Sequence, residues 1–237
     1  NEEVRQAAEI ARQVGLPVKM VWTREEDMLQ SRPRAMGVNR FSATLGPNGL
    51  PEAMVVRTVA DLVGIWRTGR GRQLLPYAVP NEYHDFHKLT SHIGWHYLRG
   101  VWYGLFGFAV ESFVDEMAHA GGWDPLEYRI ELTKHLPDDQ LVLNQLKEKA
   151  GFTTDLPRGE GMGVALHQEA MTMCAACSTV TVSRRGQLRV EKMVWSVNPG
   201  HVLNPLVATE QVESATIYEL SSVLRTGLDI RNGRVMN

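Results

Sequence analysis

The sequence predicts an α+β fold, with mixed β-sheets and packed helices, from three observations. Residues 38–59 hold two β-rich runs around a Gly-Pro-Asn-Gly turn, residues 106–150 carry helical spacing with helix-start chemistry, and after Pro157 the pattern returns to β. The chain has 237 residues, enough to bury a core without disulfide staples. Hydrophobic residues make up 43% and charged residues 22%, which excludes a disordered chain.

The elements follow in order. Val4, Ala7, Ala8, Ile10, Ala11 and Val14 recur at helical spacing, and Gly15-Leu-Pro17 ends that helix. Val18–Trp22 is a short β-type run. Thr23 with Glu26 three residues later has the form of a capping box, and Arg32-Pro-Arg34 breaks the helix it opens. Val38–Leu45 and Leu50–Val59 form a hairpin, because Pro47 suits a first turn position and Asn48-Gly49 tolerates positive φ. Asp61–His96 shows no sustained period and reads as a long loop that is functional or wraps another surface.

Phe106, Val110, Phe113, Val114, Met117 and Ala118 share a helix face that Gly121-Gly122 closes. Asp124 as N-cap with Pro125 at the first position opens the next helix. Asp138 starts a third, which Gly151 stops. Met162–Gln168, Ala175–Ser183 and Leu188–Val197 are strands, with Arg185-Gly186 turning between the last two. Thr209–Leu224 is a helix, and Gly227–Arg231 a final strand without a closing turn. The chain divides into an N-terminal α+β part, 1–155, and a β-rich C-terminal part, 156–237, expected to be incomplete.

Composition narrows function. Lys and Arg number 25 against 27 Asp and Glu, without the basic excess of a nucleic-acid binder. The longest apolar stretches, such as Val101–Val110, fall short of a membrane span. Cys174-Ala-Ala-Cys177 on a strand would point its thiols to opposite faces, so it packs rather than chelates. His84, His87, His92 and His96 cluster near Asp85, but His92-Ile-Gly-Trp-His96 lacks the glutamate of the zinc protease motif, and no metal ligand is assigned. Gly159-Glu-Gly-Met-Gly163 precedes a strand instead of following one, so it is not a dinucleotide fingerprint but a flexible strand lead-in or a loop approaching a ligand. Trp66–Arg72 is a small basic loop, solvated or in contact with an anion.

Two residues have open readings. Arg99 lies just before an apolar helix, where it could hold a substrate oxyanion or pair with Glu111 or Asp115. Gln211 could offer its amide to a flat heterocycle edge or cap its helix.

Several strings in one order resemble a known family. Pro17–Met28, Leu98-Arg-Gly-Val101 with Phe108–Ala118, Asp124-Pro-Leu-Glu-Tyr-Arg129, and Gly161–Val182 followed by Asn198–Gln211 are similar to the molybdenum-binding subunits of the xanthine dehydrogenase/aldehyde oxidase superfamily. The likeness is to the large, or beta, subunits of the isoquinoline 1-oxidoreductase type, and the chain reads as a central fragment of one. The resemblance implies part of a molybdopterin-binding domain that hydroxylates an aldehyde carbon or a carbon beside nitrogen in a heterocycle, with water as the oxygen source. It implies a molybdenum–pterin cofactor (Moco), in the cytosine dinucleotide form, and an iron–sulfur small subunit as partner, with a cytochrome c as a further acceptor.

By the same resemblance Arg99 is the catalytic arginine, Gly100 and Gln211 contact the cofactor, and Gln168 and Glu169 line the substrate pocket. The pterin holds the metal, so no side-chain ligands are implied. The base-bearing Gly-Glu motif is expected beyond Asn237, and the isolated chain is expected to be inactive and poorly stable. The bacterial periplasm is favoured over the cytoplasm. Asn198 and Ser214-Ala215 depart from the family pattern, and they are the ground for a second function class, a non-catalytic interaction module that keeps the fold without cofactor.

Overall fold

The computed structural model describes residues 2–61, 75–90, 94–100, 103–169 and 172–236. Trp66–Arg72 and His92 therefore lie outside the described residues. Helix α1 spans Glu2–Val14 and α2 Arg24–Gln30, where the Thr23 hydroxyl accepts the Glu26 N–H at 3.2 Å as the capping pattern predicts. The run between them is a correction: residues 17–23 form no strand. An extended apolar run becomes a strand only if another strand takes its N–H and C=O groups. Here Trp22 instead sends its indole N–H to Gln6 Oε1 on α1, at 3.1 Å.

The hairpin is present as β1 (Gly37–Leu45) and β2 (Pro51–Ala60), paired antiparallel. Its turn is closed by Gly46 N–H to Leu50 O at 2.8 Å and by Gly49 N–H to Gly46 O at 2.9 Å. The turn also docks on residues 123–128. Trp123 Nε1 donates to Asn48 O at 2.9 Å, and the Tyr128 hydroxyl donates to Gly49 O at 3.2 Å.

A second correction falls in the stretch read as a loop. β3 (Asn81–Lys88) joins β2 in parallel, giving the sheet order β1-β2-β3. Its sequence, Asn-Glu-Tyr-His-Asp-Phe-His-Lys, suits an edge strand, which needs a partner ladder more than an apolar face. His84 and His87 bond carboxylates of their own strand, Glu82 at 3.1 Å and Asp85 at 3.0 Å.

Three helices pack on the sheets: α3 (Tyr103–Gly121), α4 (Pro125–Leu132) and α5 (Pro137–Ala150). Asp124 caps α4 by accepting the Leu126 and Glu127 N–H groups at 2.9 and 3.1 Å. α5 begins one residue before Asp138, with Pro137 in its first turn, and ends at Gly151 in the left-handed region. β4 (Glu160–Glu169), β5 (Thr172–Val182) and β6 (Leu188–Asn198) make an antiparallel meander. Gly159, at φ +94°, sits where a side chain would meet Val182 O at 2.9 Å, so it marks a close strand lead-in.

Met173, Ala175 and Cys177 face the core from β5, while Cys174 faces the other way. One apolar core joins both sides of residue 155: Met54 and Val56 from β2, Val114 and Met117 from α3, Leu143 and Leu146 from α5, and Val164 and Leu166 from β4.

α6 (Pro205–Arg225) is longer than the expected Thr209–Leu224, because Asn204 caps it, accepting the Val207 N–H at 3.2 Å, and Pro205 starts it. No residue of α6 is buried. The final strand is shorter than expected. β7 (Ile230–Arg231) pairs with β8 (Arg234–Val235) across a turn at Asn232-Gly233, both at positive φ. Among the described residues no helix is long and apolar enough to cross a membrane.

Candidate functional site

Of the sequence-predicted residues, Gln211 lies on α6, Gln168 and Glu169 end β4, and Arg99 and Gly100 come just before α3. β4 lies along it, since Leu166 N–H reaches Glu111 Oε2 at 2.8 Å and a side chain on Gly107 would meet His167 Nδ1 at 3.9 Å. Moving along β4 toward its end is thus moving toward the start of α3. Gln168, half-buried and paired with Met173, and Glu169, paired with Thr172, continue in that direction.

α6 supplies a further wall. The Arg99 guanidinium carbon stands 5.5 Å from the centre of the Tyr218 ring, a cation–π contact. Arg34 ties the same place together: its guanidinium donates to Arg99 O at 2.7 Å and reaches Glu219 Oε1 at 3.4 Å. Arg34 Nε is buried there without an acceptor among the described residues. Gln211 is seven residues before Tyr218, so both lie on one face of α6, about 10 Å apart along its axis. Gln211 does not cap the helix, which is Asn204's role. An open groove of about 680 Å³ runs along α6, lined by Glu213, Ser214, Ile217 and Tyr218 among others. Gly100 sits at φ +81°, and among the described residues nothing lies within 4 Å of where a side chain would start.

The two alternatives left open for Arg99 now separate. Glu111 and Asp115 are not its partners, because Arg129 takes both, Nε to Glu111 Oε2 at 3.0 Å and an Nη to Asp115 Oδ1 at 2.6 Å. Sequence reasoning missed this cluster. Arg129 is fully buried, and the Tyr77 hydroxyl donates to Glu111 at 2.9 Å. The available signal was Glu111, which borders the apolar face of α3 one turn before Asp115 and needs a counter-charge once buried.

Burial pushes the Glu111 carboxyl up, with Arg129 and the Leu166 N–H pulling it back in part. Burial and the neighbouring Glu111 push the Tyr77 hydroxyl well up. Burial opposes the Arg129 cation, but Tyr77, Glu111 and Asp115 outweigh it and raise its pKa further. Burial, then Glu111, pushes the Cys174 thiol up to about 11. Asn198, one of the departures from the family pattern, donates to Asp138 Oδ1 at 3.2 Å and accepts the Gly200 N–H at 3.2 Å, so it joins β6 to α5.

Comparison with known proteins shows the family. Residues 3–131, more than half of the chain, match the family described as the molybdopterin cofactor-binding domain. The chain is 29% identical to a membrane-bound aldehyde dehydrogenase (pyrroloquinoline-quinone) of Gluconacetobacter polyoxogenes, over 92% of this chain and 33% of that one. It is 26% identical to a nicotinate dehydrogenase subunit of Pseudomonas putida, over 82% of this chain and 18% of that one. It is 25% identical to the isoquinoline 1-oxidoreductase beta subunit of Brevundimonas diminuta, over 96% of this chain and 31% of that one. The chain thus spans a third or less of the length of these relatives.

The fold is similar to that of the aldehyde oxidoreductase of Desulfovibrio gigas, with a TM-score of 0.53 and 18% identity over 77% of this chain and 24% of that one. With the matched region running from α1 through most of α4, and the Arg99–Gly100 turn inside it, the chain belongs to the molybdopterin cofactor-binding domain family.

Proposed function

We propose that this chain is part of the large subunit of a molybdenum hydroxylase that oxidises an aldehyde carbon or a carbon beside nitrogen in a heterocycle. In this reading water supplies the oxygen, electrons leave through an iron–sulfur small subunit toward a cytochrome c, and the cofactor is the cytosine dinucleotide form of Moco. The names of the relatives, which cover aldehyde, nicotinate and isoquinoline oxidation and include two designated subunits, support the substrate class and a multi-subunit enzyme. A periplasmic site of action belongs to the same proposal.

The observation that carries the reading is the state of Arg99. Among the described residues its guanidinium is matched to no carboxylate, and it rests on the ring of Tyr218, which itself lines an open groove along α6. The donor set there fits an anionic, heterocyclic cofactor. Arg99 brings a planar cation, Gln211 an amide that both donates and accepts, and Gly100 a backbone without a side chain in the way.

Bound there, the cofactor supplies the two-electron oxidation. The chain supplies position and charge. Arg99 donates N–H bonds to the oxygen on which negative charge builds, and the Tyr218 ring holds its guanidinium in place before the reaction begins. Gln211 orients the pterin by its amide. Gln168 and Glu169, at the end of β4, border the substrate.

The test is Arg99→Ala in the full-length subunit with its partner. Turnover per bound molybdenum should fall about 10²–10³-fold, and Arg99→Lys should recover only part, since an ammonium lacks the planar fork. Unchanged turnover per molybdenum with a lowered melting temperature would reject the catalytic role. Full-length protein purified without molybdenum or pterin would favour the non-catalytic module instead.

A further inference from the structure

We propose that Glu111 is a positioning residue, which seats β4 against α3 and thereby sets the position of Gln168 near the end of that strand. The inference rests on the reading above, in which Gln168 and Arg99 serve the same substrate. Among the described residues β4 is the edge strand of its sheet, so alternate N–H groups along it have no strand partner there. The Leu166 N–H is one of them. Leu166 is only 1% exposed, and water cannot satisfy it. Glu111 Oε2 accepts that N–H at 2.8 Å and the Arg129 Nε–H at 3.0 Å, while Oε1 accepts the Tyr77 hydroxyl at 2.9 Å. One carboxylate on α3 thus gathers α4, the Tyr77 segment and the site strand.

The bond is directional, and this matters for the site. Apolar packing alone lets a strand slide along a helix, whereas a buried N–H with a single acceptor fixes one register. Gln168 follows two residues after Leu166, about 7 Å along the strand. A shift at Leu166 therefore reaches Gln168 undiminished. Glu111 itself touches no substrate and acts through the strand.

The substitutions separate reach from charge. In Glu111→Gln, the amide oxygen in the place of Oε2 keeps the Leu166 and Arg129 bonds, and the amide nitrogen can donate to the Tyr77 oxygen. Glu111→Leu leaves the Leu166 and Arg129 donors without that acceptor. Glu111→Asp keeps the charge but falls short by one methylene.

The experiment uses the full-length holoenzyme with its partner subunit, and measures kcat/KM per bound molybdenum alongside amide exchange at Leu166–Gln168. Glu111→Leu and Glu111→Asp should lower kcat/KM per molybdenum by about 10–100-fold, the cost of misplacing a substrate group by about an ångström. They should also speed Leu166 exchange about tenfold, the loss of one buried bond. Glu111→Gln should stay close to wild type in both. Should Glu111→Leu fail to fold, Glu111→Asp and Glu111→Gln carry the comparison.

Unchanged kcat/KM per molybdenum in the poorly reaching variants, whatever their melting temperature, overturns the proposal and leaves Glu111 a stabilising group. Loss in Glu111→Gln with none in Glu111→Asp overturns it too, because charge would then matter and reach would not. Arg99→Ala assayed in parallel keeps the two readings apart. If that variant turns over normally, the catalytic reading of Arg99 falls, and the Glu111 proposal is still decided by its own kcat/KM and exchange.

Discussion

Replacing Arg129 by Met tests the buried cluster most directly. Arg129 is fully buried and donates to Glu111 Oε2 at 3.0 Å, Glu111 O at 3.0 Å, Pro125 O at 3.0 Å and Asp115 Oδ1 at 2.6 Å. Methionine fills most of the volume without the charge. The Asp115 arm contributes little, since that carboxylate is 35% exposed and screened by water. The Glu111 arm decides the outcome, because among the described residues the variant leaves a buried carboxylate with only the Tyr77 hydroxyl and the Leu166 N–H. Breaking a buried pair this way costs about 3–5 kcal/mol.

The cost should depend on pH with a definite sign. Glu111 is already raised above the ordinary carboxylate value of 4.5 by burial. A raised folded pKa contributes stability that is fully present below the unfolded value and lost as pH rises through the folded one. Without Arg129 the carboxyl rises further, so the variant loses more than wild type as the pH climbs above the unfolded value. Urea unfolding midpoints should show a smaller deficit near about pH 5 than near about pH 8. Adding Glu111→Gln to Arg129→Met should recover part of the loss, since a neutral amide needs no counter-charge. A deficit below about 1 kcal/mol, or one flat across this range, would refute the reasoning, because an uncompensated buried charge cannot be that cheap.

Three further outcomes are expected. Cys174, with its thiol pushed up to about 11 from an ordinary 9.0, should alkylate at about pH 8 roughly 100-fold more slowly than a free thiol, and faster as the pH approaches 11; ordinary labelling rates by mass spectrometry would contradict its burial. Gly121→Ala puts a side chain 2.5 Å from Gly49 O, backbone against backbone, and should cost about 1–3 kcal/mol as the hairpin turn is forced off α3; an unchanged melting temperature would disprove that contact. Fractionation of cells making the full-length protein should place it in the periplasm, and a purely cytoplasmic pool would end that proposal.

The sequence by itself determined the elements whose cause lies within a few residues. Gly46–Gly49 makes the hairpin turn, Asp124-Pro125 starts α4, Thr23 caps α2, and Gly151 stops α5, because each is a local bond or a local φ preference. It also determined that Cys174 and Cys177 lie on opposite faces of a strand, by period alone. The family was legible in its ordered strings.

Tertiary structure decided wherever a group needs a partner far along the chain. Val18–Trp22 has the composition of a strand and forms none, while the charged β3 is a strand because β2 offers it a ladder. Arg99 rests on Tyr218, while Glu111 and Asp115 pair with Arg129, thirty residues on. A guanidinium does not carry its partner's address in its own neighbourhood. Burial decides which carboxylates must be neutralised, and only the packed core decides burial.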